Sequence, residues 1–292
     1  MSIQSQIDQM PLNKGVKVIV SNEDGLLALE KPVGLLSHPN TDEDNKRSLL
    51  RATYDYEEEV FIWKNEAGEE QRAWLINRLD SPTSGVILLG LNEEIARLIK
   101  QCFIAQQVHK TYFALIRKTP SRLSGDWKDV LKKNVQAGQR VVKNVRAVTA
   151  KTHYEVTKTA VGGFPICLVR LMPVTGRTHQ LRVQCKQHGH PIVGDRTYGS
   201  FSFNREIVQE TGQRRMMLHS GETAVRYAYK GQIRDFKAVS ELPEAFNEVM
   251  RFRPGVNHGR SQPGPRPKPQ PVKRQLVKRP TSAALAQRRF KH

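Results

Sequence analysis

The sequence has little cysteine and no long apolar run. Its three cysteines, Cys102, Cys167 and Cys185, are an odd number without CxxC spacing, which argues against a disulfide framework and against a zinc ribbon. A reducing compartment fits such a chain best. The longest apolar stretches, such as VILLGL at 86–91, are far too short to cross a bilayer. The opening MSIQSQIDQMPLNKG has no basic region followed by an apolar one, so no signal peptide is read there. These absences lead us to expect a soluble cytoplasmic protein with no membrane partner. Acidic residues are missing altogether from 251 to 292, where there are 12 basic ones.

What is present is mostly positive charge. The 292 residues carry 47 Lys and Arg against 28 Asp and Glu, a net charge of +19. One segment runs the other way: residues 42–70 hold 10 acidic and 4 basic side chains, and they read as a solvated loop or insertion. The rest of the body stays basic without the tail. That suggests a polyanionic partner, because Lys and Arg that neutralise phosphates displace condensed counterions. The stretch RPGVNHGRSQPGPRPKPQPVKRQLVKRP, rich in Pro and basic residues, is expected to be disordered, with a short helix at SAALAQRRFK. The expected organisation is an N-terminal extension over 1–15, a folded body over 16–252 and a basic tail over 253–292.

Apolar and β-branched residues cluster or alternate in VKVIV, GLLALEKP, GVILLGL, KTYFALIR, KTHYEVTKT and PICLVRLMPV, which predicts strands. Helices are predicted at NEEIARLIKQCFIAQQ, with Asn92 as N-cap, at THQLRVQCKQHG, beginning near Thr178, and after Pro243. Strands outnumber helices and several are joined by short turns. The expected class is α+β, a mixed or antiparallel sheet with flanking helices.

One carboxylate stands out. Asp80, in WLINRLDSPTSGVILLGL, lies between an arginine two positions earlier and a Pro-Thr-Ser-Gly turn leading into an apolar strand. Its side chain either caps that turn, as Asp commonly does, or acts chemically. His179, Cys185, His188 and His190 invite a zinc reading, but on a helix His179 and Cys185 would sit about 240° apart around the axis and would not converge. GHPIVGDRTYG looks like a phosphate cradle but lacks the GK[ST] ending, and reads as a tight turn in the scaffold.

Four stretches taken together, EKPVGLLSHP, NRLDSPTSG, VHKTYFALIR and PVTGRTHQLRVQCKQHGHPIVGDRTYG, closely resemble the RluA-type pseudouridine synthases of RNA. The resemblance runs from about Val16 to Val239. One departure is Asn77, where the family usually has His before RLD; it bears on loop support or RNA contact. The resemblance implies the pseudouridine synthase catalytic fold and isomerisation of uridine in structured tRNA or rRNA, with no metal or cofactor. Breaking a glycosidic bond develops positive charge at C1′, which a carboxylate can trap covalently or stabilise; the same group can instead take a proton from C2′. By this likeness Asp80 is the catalytic acid and Arg177 the guanidinium paired with it. Tyr112 is the ring that stacks on the base, and its hydroxyl helps remove the C5 proton. Arg78 either fills the gap left by the flipped nucleotide or contacts its phosphate, or it only braces the loop. Leu218 supplies an apolar contact beneath the base or packs in the core.

Many relatives carry an N-terminal S4 domain, and the residues before the match are too few for one here. The expected partner is RNA, with no DNA, and the expected state is a monomer. One rival is an RNA-binding or chaperone-like protein on the same fold without essential catalysis. Another is a glycosidase or phosphotransferase with an Asp nucleophile, which would normally need a paired acid or a metal site that the sequence near Asp80 does not offer.

Overall fold

The computed structural model describes residues 2–132 and 147–255, and Met1–Pro254 forms one compact unit. The tail beyond residue 255, with the helix expected at SAALAQRRFK, lies outside the described residues. The first half of the chain runs α1 (Ile3–Asp8), β1 (Lys17–Ser21), β2 (Leu26–Lys31), β3 (Thr53–Asp55), β4 (Val60–Lys64), β5 (Glu70–Leu75), β6 (Ser84–Gly90) and α2 (Glu93–Ile104). Next come β7 (Val108–Arg117), β8 (Ser124–Lys132), β9 (Ala147–Thr159), β10 (Ile166–Pro173) and α3 (Gln180–Gln187). The body closes with α4 (Phe201–Thr211), β11 (Leu218–Tyr229), β12 (Gln232–Val239) and α5 (Glu244–Arg251).

Among the described residues the strands form one 12-stranded sheet in the order β3-β4-β5-β6-β11-β7-β10-β9-β8. β2 joins it at β6, β1 pairs with β2, and β12 joins at β11. The apolar run in β6 has a direct cause: every one of its residues is buried, because β2, β5 and β11 pair with it and both faces are covered. Alternation then sorts its side chains. Ile87 and Leu89 join Leu27 and Leu29 in one core, and Val86 and Leu88 join Leu26 and Ala28 in another. Each such side chain contributes about 1.5–3 kcal/mol on burial.

α2 covers the second of these cores. Its Asn92 side chain accepts from the Ile95 backbone N–H at 2.8 Å, Glu93 and Glu94 sit in the first turn, and Ile95, Ala96, Ile99 and Cys102 face inward. The first core is covered by α1 and by β3, β4 and β5. Residues 42–70 are therefore not the solvated loop the charge count suggested. They hold a 3₁₀ turn and most of a three-stranded meander whose Tyr54, Phe61 and Trp63 are buried, while the acids take the other face and the turns. The first fifteen residues also pack on the body, since Ile7 and Met10 are buried in the same core.

The sheet's two halves meet at β6 and β11, the one parallel pairing among the described residues, through His219↔Ser84 and Ser220↔Gly85. Gly85 has φ +110, and a Cβ there would lie 2.1 Å from the Ser220 carbonyl oxygen, so only glycine allows the strands this close. The Ser84 hydroxyl accepts from Arg215 at 2.6 Å and meets His219 Nδ1 at 2.8 Å, and His219 Nε2 reaches the Ser240 carbonyl at 3.3 Å. Burial pushes the His219 pKa down to about 4, so the ring is neutral near pH 7 and a proton on Nε2 fits that chain. This seam lies four residues after Asp80. It brings the Asp80 loop of the first half against β7, α3 and β11 of the second.

Candidate active site

Asp80 follows β5 and opens the turn into β6. Its backbone carbonyl, not its side chain, closes that turn by accepting from Thr83 N–H at 2.9 Å. The carboxylate is thus left for another purpose. Its Oδ2 accepts from Arg182 Nη1 at 3.0 Å, and Oδ1 lies 3.8 Å from His179 Nε2.

The guanidinium on Asp80 is therefore that of Arg182 and not of Arg177, which corrects the pairing expected from the sequence. The physical reason is where α3 begins. The expected start near Thr178 would have put Arg177 at the helix entrance, but α3 starts at Gln180, after His179 in a left-handed conformation with φ 55. Arg177 stays exposed in the preceding loop, where its backbone N–H donates to the Gln180 side chain at 3.0 Å. Arg182 sits in the first turn of α3 and is only 5% exposed.

A buried guanidinium needs more than one exposed-edge bond, and Asp195 supplies the rest. Arg182 Nε donates to Asp195 Oδ2 at 2.7 Å and Nη2 to Oδ1 at 3.0 Å, a bidentate fork. Asp195 also accepts from the Thr197 and Tyr198 backbone N–H groups at 2.8 and 3.0 Å. Burial alone would raise its carboxyl, but these bonds from Arg182 and the backbone outweigh it and hold the pKa below the usual carboxylate range. GHPIVGDRTYG is thus more than a scaffold turn: its Asp fixes the arginine that holds Asp80. The Tyr198 ring lies 5.1 Å from the same guanidinium.

On the other side, the EKPVGLLSHP and RLDSPTSG loops are laced together. The Ser37 hydroxyl donates to the Leu79 carbonyl at 2.7 Å and accepts from Leu79 N–H at 2.9 Å. Gly34 N–H donates to the Ser81 carbonyl at 2.8 Å. Lys31, fully buried, donates to the carbonyls of Pro32, Leu35 and Ser81 at 3.1, 2.8 and 3.1 Å. Burial pulls its pKa down to about 7, opposed by the charge of Asp80. Asn77 Oδ1 accepts from Leu88 N–H at 2.8 Å, so the departure from the usual His braces β6.

These loops form one wall of a cleft of about 620 Å³, within the range of sites for small molecules or an extruded base. Tyr112, Arg78, Arg177 and Leu218 line it together with Asp80 and Arg182. Tyr112 on β7 lies opposite Ser220, and Leu218 opposite Ala114, so Tyr112 and Leu218 share a face of the sheet. Tyr112 is half-buried; burial first and then the charge of Asp80 push its phenol up to about 12, so it is uncharged near pH 7. Leu218 is 3% exposed and is packed in the core beneath the cleft. Arg78 is exposed, with Nη1 3.9 Å from Glu59. His179 turns its Nδ1 to Tyr198 and His188 its Nε2 to Asp129, so the two rings serve different places.

Such a cleft presents one carboxylate, fixed by a braced guanidinium, beside an aromatic ring and an apolar floor. That suits a planar base with its ribose at the acid. Comparison with known proteins agrees. A family model described as RNA pseudouridylate synthase matches residues 25–187. The chain is 34% identical over 211 residues to tRNA pseudouridine synthase C of Haemophilus ducreyi, covering 69% of this chain and 82% of that protein. It is 30% identical over 224 residues to tRNA pseudouridine synthase C of Vibrio cholerae, covering 73% of this chain and 87% of that one. The fold matches the solved structure of human RNA pseudouridylate synthase domain containing 1 with a TM-score of 0.58 at 23% identity, over 81% of this chain and 88% of that one. The chain belongs to the RNA pseudouridylate synthase family, in its RluA-type branch, the isomerases that convert uridine in RNA to pseudouridine.

Proposed function

We propose that the chain acts on tRNA and that Asp80 works at the ribose of a uridine turned out of its stack. The observation that carries this is the Asp80 carboxylate held at the cleft by Arg182 at 3.0 Å, with Tyr112 lining the same space. The tRNA target is supported by the names of the curated relatives. Isomerisation breaks the N1–C1′ bond, turns the uracil, joins C5 to C1′ and removes the C5 proton. Asp80 assists the first step either by bonding to C1′ or by taking the C2′ proton, and its place beside one guanidinium suits both. Tyr112 stacks on the uracil, Leu218 supports it from below, and Arg78 contacts the vacated stack or its phosphate.

Asp80, Tyr112 and Arg182 all come from one chain, which supports an active monomer. A DNA substrate is disfavoured chemically, because thymine carries a methyl group at C5 where the reaction must release a proton. A cytoplasmic location accords with a tRNA substrate; among the described residues no helix is long and apolar enough to cross a membrane. Mapping pseudouridines across tRNA and rRNA from cells with and without this gene product tests the target. We expect sites lost from tRNA only; losses confined to rRNA would overturn the tRNA assignment.

Burial pushes the Tyr112 phenol up to about 12, so its hydroxyl is uncharged near pH 7 and helps remove the C5 proton as a neutral relay, accepting one proton while it passes on its own. Tyr112→Phe keeps the ring and loses that group. Tight RNA binding should survive while the single-turnover rate falls by roughly 10²-fold or more, as for loss of a proton-transfer group. An unchanged rate would remove the hydroxyl from the mechanism.

Residues 253–292 supply affinity and not target choice in this reading, since they offer basic groups for phosphate and few aromatic rings for bases. Their deletion should weaken binding to target and non-target RNA alike and flatten the salt dependence by about 0.7 to 0.9 per lost phosphate contact. A new or missing modified site in the truncated protein would show that the tail selects the target.

A further inference from the structure

At the edge of the cleft, on the side formed by the EKPVGLLSHP loop and β3, stands a group of three rings that the isomerisation itself does not use. His38 lies parallel to Tyr54, with centroids 5.0 Å apart and an interplanar angle of 11°. Tyr56 stands edge-on to both, at 87° and 6.4 Å from His38 and at 86° and 5.3 Å from Tyr54. Tyr54 is rooted in the core against Phe61 at 4.7 Å and is 7% exposed, so it anchors the others. His38 Nδ1 lies 2.8 Å from the Pro39 carbonyl, which can only accept, so a proton on Nδ1 makes the bond that fixes the ring, and Nε2 of the neutral ring can accept. His38 lines the cleft, and Tyr56 is 50% exposed although it is a large aromatic group beside an active site.

We propose that His38 and Tyr56 form an aromatic corner that takes one unpaired nucleobase next to the target uridine in the RNA. This rests on the reading of the cleft as an RNA site. A base would stack on one ring with its edge against the other, and His38 Nε2 would accept from an exocyclic amino group or a ring N–H. The charges nearby favour a base over a phosphate. Asp55 on one side of Tyr56 and Glu57, Glu58 and Glu59 in the turn after it repel a polyanion while leaving an uncharged ring unaffected. The backbone of that nucleotide must then lie on the cleft side, where Arg78, 3.9 Å from Glu59, and Arg177 are exposed cations. The corner is continuous with the cleft through His38, so a nucleotide adjoining one whose base sits against Tyr112 is the occupant within reach.

Coupling between protein and RNA substitutions tests the corner. Binding of tRNA transcripts is measured with abasic nucleotides placed in turn at each loop position, for wild type, Tyr56→Leu and Tyr56→Phe. Tyr56→Leu should weaken binding by about tenfold, as for loss of one base–aromatic stack, and Tyr56→Phe should not. At one loop position the abasic substitution should cost wild type a similar factor and cost Tyr56→Leu almost nothing further. His38→Ala should show the same loss at the same position; should it fail to fold, the exposed Tyr56 carries the test alone. Wild-type affinity in Tyr56→Leu, or losses that multiply at every position, would overturn the corner. Pseudouridine formation by the wild-type protein is followed in parallel. Absent turnover with the coupling intact counts against the proposed function and for the corner, whereas normal turnover with no coupling does the reverse.

Discussion

Asp80→Asn should lower pseudouridine formation by about four orders of magnitude or more while RNA binding stays within about twofold. The amide is nearly isosteric, and its oxygen can still accept from Arg182 Nη1, so the loop should keep its place. What is lost is the negative charge and the nucleophile or base it provides. An amide can neither bond to C1′ nor take a proton from C2′, and it does little for positive charge developing on the sugar. Retained binding separates loss of chemistry from loss of structure. A rival role as an RNA-binding protein without essential catalysis would leave the substitution without consequence.

The second large effect concerns the arginine that sequence reasoning passed over. Arg182→Met should destabilise the fold by about 3–5 kcal/mol, because it leaves Asp195, fully buried, without its counter-charge. It should also release Asp80 from the cation bonded to it and reduce turnover beyond what instability explains. Arg182→Lys keeps one charge but cannot fork onto Asp195 and reach Asp80 together, so it should recover part of the stability and little of the activity.

The same pair sets a pH dependence. The Asp195 carboxyl is depressed in the folded protein, so the unfolded chain binds more protons in and just below the ordinary carboxylate range. The stabilisation is fully present above that range and is lost as pH falls through the lower, folded value. Asp195→Asn should lack this contribution. Urea unfolding midpoints for the wild type and this variant, measured between neutral and acidic pH, should therefore converge as pH falls. Parallel curves would show that Asp195 is not the titrating group.

Much of the fold can be traced in the sequence where burial is simple. β2 and β6 are apolar because both their faces are covered, β10 alternates buried with half-buried residues over most of its length, β7 is apolar where its Ala114, Leu115 and Ile116 are buried, and α2 declares itself through Asn92 and its inward Ile95 and Ile99. Residues 42–70 conceal two strands and the start of a third because ten acids outweigh a buried set, Tyr54, Phe61 and Trp63, in the same short stretch. α4 was missed as well, since Phe203, Ile207 and Thr211 are the buried residues of an otherwise polar sequence.

The site divides along the same line. Asp80, Tyr112 and Leu218 belong to distinct stretches, and the structure brings all three to one cleft. Arg177 and Arg182 share TGRTHQLR, and choosing between them needs the helix start, which depends on the left-handed turn at His179. The pattern of α3 does not mark its start, because polar Arg182 and Gln184 are buried along with Leu181 and Cys185. One signal was present: Asp195 lies in the same motif region, and a buried acid there asks for a cation from the adjoining helix.

Purified protein incubated with unmodified tRNA in EDTA, followed by digestion and mass-spectrometric counting of pseudouridine, tests the central claim most directly. Because the reaction breaks and remakes a bond to one ribose without redox change, wild type should convert uridine at defined tRNA positions under these conditions. Asp80→Asn, with equal RNA occupancy, should yield none above background. Equal conversion by the two proteins would contradict the assignment of Asp80, and no conversion by wild type on folded tRNA would contradict the proposed substrate.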